Sequence, residues 1–411
     1  MTNQIAFRIT LERAHLGPLG RYVDSFAEWL SQQGYAAYTL KYRIRLAGAL
    51  SRFMRQQGLA ESQLDEKTTV AFLQCRGIDR RIHRNDAPTL RCLMKHLRQS
   101  GVIPPAAPVI DESETSSITG DFAEYLTRER RLSKATLTNY IPTVRLLLED
   151  RFGAGPVGLE EITPSDISRF VLRLAPAFSR ARAKLIVTAL RSFFRFLRLR
   201  GDITVDLAAD VPTVANWRLA TLPKWIPPDE VEQLMESCDQ RTATGRRNFV
   251  ILLLLARLGL RSAEVVVLTL DDIDWEAGEI SIRGKSRRSD RLPLPHDVGE
   301  ALATYLRYGR PRCSTRQVFI RMKAPYRGFH GSAAVYSLVK RAFDRAGLTP
   351  VQKGPHLLRH SLATTMLRNG ASLREIGEIL RHRELATTQI YAKVDLGSLR
   401  TITQAWPGGE A

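Results

Sequence analysis

Most of the chain carries the apolar spacing of helices. Phe193, Phe194 and Leu197 recur at helical intervals, while Arg191, Arg195 and Arg198 fall at i, i+4 and i+7 on another face. Gly201 follows the basic last turn and marks a stop. Residues 248–258 are apolar nearly all round, which predicts a buried helix broken by Gly259. Ser262 stands where it would cap the next helix, with Glu264 in the first turn. Residues 279–283 and 291–295 read as short strands around Gly284-Lys285-Ser286-Arg287-Arg288, a hairpin with a cationic tip. Helical spacing returns over 335–346, 356–368 and 373–380.

Two stretches interrupt this pattern. Residues 103–120 hold Pro104, Pro105 and Pro108, and residues 210–228 hold Pro212, Pro223, Pro227 and Pro228. Proline is excluded from helix interiors and biases the residue before it towards extended backbone, so both stretches read as linkers. They leave three segments: 1–103 and 116–205, both helical, and 219–404, which is mixed. The first two resemble each other. Phe26-Ala27-Glu28-Trp29-Leu30 recurs as Phe122-Ala123-Glu124-Tyr125-Leu126. Leu90, Arg91, Leu97, Arg98, Gly101 and Ile103 recur 100 residues later as Leu190, Arg191, Leu197, Arg198, Gly201 and Ile203. A duplicated helical module accounts for both series; two unrelated amphipathic helices with similar ends are the alternative.

Charge narrows the function. Lys and Arg number 61 against 42 Asp and Glu, a formal net charge of +19 spread along the chain. A globular protein this basic usually has a polyanionic partner, nucleic acid being the commonest; solubility or an arginine-rich genome is the alternative. An arginine face such as 191/195/198 serves either to lie along a phosphate backbone or as the solvated side of a core helix, and the pattern leaves both open. Cys75, Cys92, Cys238 and Cys313 are far apart, which points to neither a disulfide framework nor a zinc knuckle. The longest apolar run, 249–256, is far short of the ~20 residues of a membrane span, and Met1 to Thr10 lacks the pattern of a secretory signal. A soluble, cytoplasmic protein without membrane contact is expected.

The candidate chemistry lies in the third segment. His356-Leu357-Leu358-Arg359-His360 opens a helix after Pro355, with His356 and Arg359 on one face of the first turn, near the positive end of the helix dipole. The His356/His360 spacing would suit zinc, but Leu357 stands where a metalloprotease helix needs glutamate, so no metal is expected. Leu380-Arg381-His382 and Thr387-Thr388-Gln389-Ile390-Tyr391 follow.

Taken in order, these blocks resemble the tyrosine recombinase, or phage integrase, family over 116–404. Gly259-Leu260-Arg261-Ser262-Ala263-Glu264 looks like the block of the first catalytic arginine, and Gly284-Lys285 like the strand-turn lysine. The 356–360 block looks like that of the second arginine, His382 like the late histidine, and 387–391 like the nucleophile block, nine residues on. Two positions depart from the family. Arg381 replaces the usual glycine before the histidine, which bears on the backbone around His382, and Ala263 replaces a common serine.

The resemblance implies a mainly α protein: helical N-terminal DNA-binding modules, then a mixed α/β catalytic domain with a small antiparallel sheet. It implies a site-specific recombinase or integrase of a mobile element, acting on double-stranded DNA as a homo- or hetero-tetramer on two recombination sites, with no cofactor. Tyr391 would be the nucleophile of a 3′-phosphotyrosyl intermediate. Arg261 and Arg359 would hold the phosphate, Lys285 would be the general acid, His356 would assist proton transfer, and His382 would hydrogen-bond the phosphate. His360 reads as a buried brace of its helix. Leu396, Leu399, Ile402 and Trp406 form a sparse apolar tail, suited to its own domain or to a neighbouring protomer. The alternatives are a type IB topoisomerase-like relaxing enzyme and an inactive DNA-binding regulator.

Overall fold

A computed structural model describes residues 14–79, 83–106, 113–153, 155–214, 223–284, 289–382 and 384–394. The chain divides into two compact units: Met1–Ala106 together with Leu222–Ala411, and Ala107–Thr221. Segment 1–103 has a hydrophobic cluster of its own, yet it belongs to the same unit as the third segment.

That first segment contributes helices α1 (Val23–Gln32), α2 (Ala37–Gln56), α3 (Glu66–Asp79) and α4 (Asp86–Gln99) around fully buried Phe26, Leu30, Leu50, Met54 and Leu97. Asp86, wholly buried, is satisfied by the Tyr42 hydroxyl, the His83 N–H at 2.9 Å and Arg76 Nε at 3.4 Å. A buried carboxylate persists only when hydrogen-bonded in this way.

The second unit holds α5 (Glu114–Arg128), α6 (Lys134–Phe152), α7 (Pro164–Leu174), α8 (Arg180–Arg200) and the short α9 (Leu207–Asp210). Ser113, Ser133, Thr163 and Ser179 each cap a helix by accepting the N–H three residues on. The Ser113 cap starts α5 at Glu114, so the first linker ends well before residue 120. The arginine stripe has a structural part: Arg191 donates to Val211 O at 2.8 Å and Thr213 Oγ1 at 2.9 Å, and Arg198 pairs with Asp206 at 2.8 Å, leaving Arg195 exposed.

The repeated positions have matching surroundings in the two modules. Phe26 and Trp29 lie 6.2 Å apart with an interplanar angle of 17°, and Phe122 and Tyr125 lie 6.5 Å apart at 18°. Leu90, Leu97, Leu190 and Leu197 are all buried, and Gly101 and Gly201 both have positive φ, 70° and 87°.

The third segment is α10 (Pro228–Glu236), α11 (Ala243–Arg257), α12 (Ser262–Val267), β1 (Ile273–Asp274), β2 (Glu279–Arg283), β3 (Ser289–Pro293), α13 (His296–Tyr308), α14 (Ser332–Arg345), α15 (Pro355–Arg368), α16 (Leu373–Ile379) and α17 (Leu385–Thr388), then a 3-10 turn, Gln389–Val394. Helix α11 packs against α13 and α15, with Val250, Ile251, Leu252, Leu254 and Leu255 fully buried. The strands form one antiparallel sheet in the order β1-β2-β3. The fold class is the expected one: mostly helical with a small antiparallel sheet.

Two local expectations are corrected. The last strand is Ser289–Pro293, not 291–295, because β2 pairs along its whole length from Glu279 opposite Pro293 to Arg283 opposite Ser289, and Pro295 precedes α13 as its cap. Ser262 is the first residue of α12, not its cap. The cap position is Arg261, whose backbone N–H is taken by the Glu264 carboxylate at 2.8 Å.

Within the larger unit the first segment touches the third, where Tyr326 N donates to Gln33 O at 3.0 Å. Gly34, beside it, has φ +80°, and a side chain there would strike the Tyr326 ring. Gly34→Ala should therefore lower unfolding free energy by about 1–2 kcal/mol from the left-handed backbone alone, with further loss from the overlap. Adding Tyr326→Ala should recover the overlap part. A wild-type denaturation midpoint for Gly34→Ala would contradict this contact.

Candidate active site

The site is assembled where three turns meet the start of α15. Gly259 ends α11 with φ +55°, and a Cβ there would come within 2.7 Å of Leu380 Cδ2 and 3.1 Å of Leu362 Cδ2. A side chain there would strain the left-handed backbone and displace the ends of both leucines, which glycine avoids. Two residues later Arg261 enters α12. Its guanidinium is partly exposed, and Nη1 donates to Glu264 Oε1 at 2.8 Å.

Arg359, one turn into α15, is almost fully buried. Nη1 donates to Gly259 O and Nη2 to Leu380 O. A guanidinium has five N–H donors, so these bonds leave donors free for an anion. Burial, then the charges of Arg261 and Arg381, lower its pKa to about 10, and it remains cationic at neutral pH.

Tyr391 is 1% exposed and packs among Ala363, Leu367, Ile376 and Leu380. Its hydroxyl lies 2.7 Å from His360 Nδ1, with the rings edge to face at 5.6 Å. Sequence reasoning gave His360 only the part of a brace and assigned proton transfer to His356. In the structure His360 is the histidine on the Tyr391 hydroxyl, while His356 lies exposed in the first turn of α15.

His382 follows the turn closing α16. Its N–H donates to Gly377 O at 2.8 Å, and Nδ1 lies 2.7 Å from Oγ1 of fully buried Thr388. Thr388 was missed as a separate contributor, although it stands in the nucleophile motif. Lys285 lies outside the described residues, as does the tail from Leu396 to Trp406.

The electrostatics set the protonation states. Burial, then His356 and Arg359, bring His360 down to about 4. Burial, then Arg359 and Arg261, bring His382 to about 4. His356 is exposed by surface area, yet partial desolvation by its neighbours and the same two arginines also hold it below the ordinary range. Burial pushes Tyr391 up to about 12, although Arg359 pulls the other way. The free site therefore holds neutral imidazoles and a protonated phenol among fixed cations. Residues 261, 356, 359, 382 and 391 lie near enough for their charges to be felt across the group, and residue 360 joins them.

Residues 224–397 match the phage integrase family, and residues 120–201 match the N-terminal SAM-like domain of phage integrases. A Sinorhizobium fredii protein named integrase/recombinase y4rA is 45% identical over 401 residues, covering 97% of both chains. The chain belongs to the phage integrase family of tyrosine recombinases. Tyrosine recombinase XerD of Mycobacterium tuberculosis is 32% identical to this recombinase, covering 70% of this chain and 95% of its own. The fold is shared with the XerH site-specific recombinase bound to palindromic difH substrate (TM-score 0.52, 20% identity, 87% of this chain and 94% of that one). It is also shared with a lambda integrase dimer bound to a COC′ core site (TM-score 0.52, 19% identity, 72% and 98%). Among the described residues, no helix is long and apolar enough to cross a membrane.

The depressed histidines give this recombinase a pH-dependent stability. Unfolded histidine titrates near 6.5, whereas folded His360 and His382 titrate near 4. Between those values the unfolded chain binds more protons, so their contribution is complete above pH about 6.5 and declines as pH falls towards 4. The unfolding midpoint should drop from pH 7 to pH 5, and His382→Gln should flatten that drop. An unchanged slope in the variant would show that His382 is not the titrating group.

Proposed function

We propose that this recombinase cuts and rejoins duplex DNA at specific sites through a 3′-phosphotyrosyl intermediate on Tyr391. The observation that carries the reading is the 2.7 Å contact between the Tyr391 hydroxyl and His360, beside the buried Arg359. Tyr391 Oη attacks phosphorus, the bond from phosphorus to the 5′ oxygen breaks, and the phenolic proton passes to His360 Nδ1. The 5′ oxygen takes a proton from Lys285, a role resting on family resemblance. A 5′ hydroxyl from another strand then reverses these steps, so the backbone is rejoined without an outside energy source.

The protonation states support attack and proton transfer as one event. A phenol near 12 and an imidazole near 4 do not exchange a proton at rest. Transfer becomes favourable only as the oxygen's electrons pass to phosphorus and the new charge falls on the nonbridging oxygens. Arg261, with its partly exposed guanidinium, and the free donors of Arg359 are suited to those oxygens. His382 Nε2 and His356 supply further hydrogen bonds on the phosphate side. The +19 charge suits a DNA partner. We extend the reading to a tetramer holding two sites, acting in the cytoplasm for a mobile element.

The test uses nicked suicide duplexes built from the DNA flanking the gene. A covalent protein–DNA adduct should appear on a denaturing gel, vanish in Tyr391→Phe and persist in Tyr125→Phe. His360→Ala should slow adduct formation about 10²- to 10⁴-fold, the range for a lost proton-transfer group, with DNA affinity retained. An adduct surviving Tyr391→Phe would refute the nucleophile. Relaxation of supercoiled plasmid without site dependence or strand exchange would favour a topoisomerase.

A further inference from the structure

Arg381 sits in backbone that rarely holds an L side chain, at φ +55°. Arg131 is the other described non-glycine residue with positive φ, and its side chain is exposed. Arg381 is different: its side chain is 6% exposed and ends in a specific contact. Glycine would occupy this turn without strain, so the side chain itself is what the position retains.

The contact is with Glu264, itself 5% exposed. Arg381 Nη2 donates to Glu264 Oε2 at 2.8 Å, and Nη1 returns to Ile379 O at 3.3 Å. The same Oε2 accepts the Arg261 backbone N–H at 2.8 Å, while Oε1 accepts Arg261 Nη1 at 2.8 Å. One carboxylate therefore joins the turn before His382 to the turn that presents Arg261, across 117 residues of sequence. Without Arg381, Glu264 would be a buried anion whose only guanidinium partner is Arg261. Its tie to the turn before His382 would be lost, and the carboxylate would brace the Arg261 turn alone. With Arg381 in place the carboxylate holds both turns, and the Arg261 guanidinium stays partly exposed.

We infer that Arg381 is a positioning residue for strand cleavage: through Glu264 it fixes Arg261 and locks the Arg261 turn to the His382 turn. This rests on the reading that Arg261 and His382 serve the scissile phosphate. Burial pushes the Glu264 carboxyl up, but the Arg261 N–H, the Arg381 charge and the Arg261 side chain hold it below the usual carboxylate range, so it is ionised for this task.

The experiment measures single-turnover adduct formation, DNA affinity and thermal unfolding of the full chain on the nicked duplexes above. Wild type, Arg381→Gly, Arg381→Lys, Glu264→Gln, both double variants and Tyr391→Phe are compared. Arg381→Gly should slow cleavage on the order of 100-fold, the scale of a misplaced catalytic group, with DNA affinity unchanged. Arg381→Lys, which keeps the charge, should recover part of the rate. In the Glu264→Gln background neither change at Arg381 should add a further loss, since the two act as one unit. Wild-type cleavage by Arg381→Gly, or equal losses in both backgrounds, would overturn the inference. If thermal unfolding shows that Arg381→Gly does not fold, Arg381→Lys with and without Glu264→Gln decides on the same criterion. A wild-type chain with no Tyr391-dependent adduct overturns the cleavage reading and this inference together, whereas a Tyr391-dependent adduct indifferent to Arg381 overturns this inference alone.

Discussion

A guanidinium taken out of water has to find acceptors for its protons, and Arg359 finds two of them in the backbone of distant turns. Gly259 O and Leu380 O are 100 and 21 residues away in sequence. Arg261 lies two residues beyond the first carbonyl and His382 two beyond the second. Burying one side chain thus fixes where two other site residues begin. Glycine at 259 lets its left-handed turn lie against α15 without strain, and the apolar seat of Tyr391 is built from α15 and α16, the helices flanking the same junction.

The crowd of cations has an opposite side. Arg261, Arg359 and Arg381 gather around one described carboxylate, Glu264, and burial together with the nearby positive charge keeps the histidines neutral. Under the proposed function a phosphodiester would supply the balancing negative charge. On that reading binding and charge balance would be one process, as in sites that work through preorganised donors.

Much of this was legible in the sequence where local rules apply. Apolar period gave α11, α14, α15 and α16 to within a few residues, and prolines marked the stretches 103–120 and 210–228 as linkers. The family blocks pointed to Arg261, Arg359, His382 and Tyr391. What could not be read depends on contacts between remote residues. His360 lies 31 residues from Tyr391, and its helix position alone equally fits a brace or a ligand. Arg381 stood out as a departure, but its partner lies 117 residues back, beyond any periodicity. Ser262 looked like a cap because its residue type prefers that position. The cap went instead to Arg261, where Glu264 could reach the backbone N–H.

Tyr391 carries a last consequence. Its side chain is 1% exposed. If it is the nucleophile proposed above, a phosphorus atom would reach the hydroxyl only after the 3-10 turn bearing it, or a neighbour, had moved. Under that reading a short-lived encounter with DNA would end before the hydroxyl was uncovered, and selectivity would come from dwell time as well as from contacts with bases.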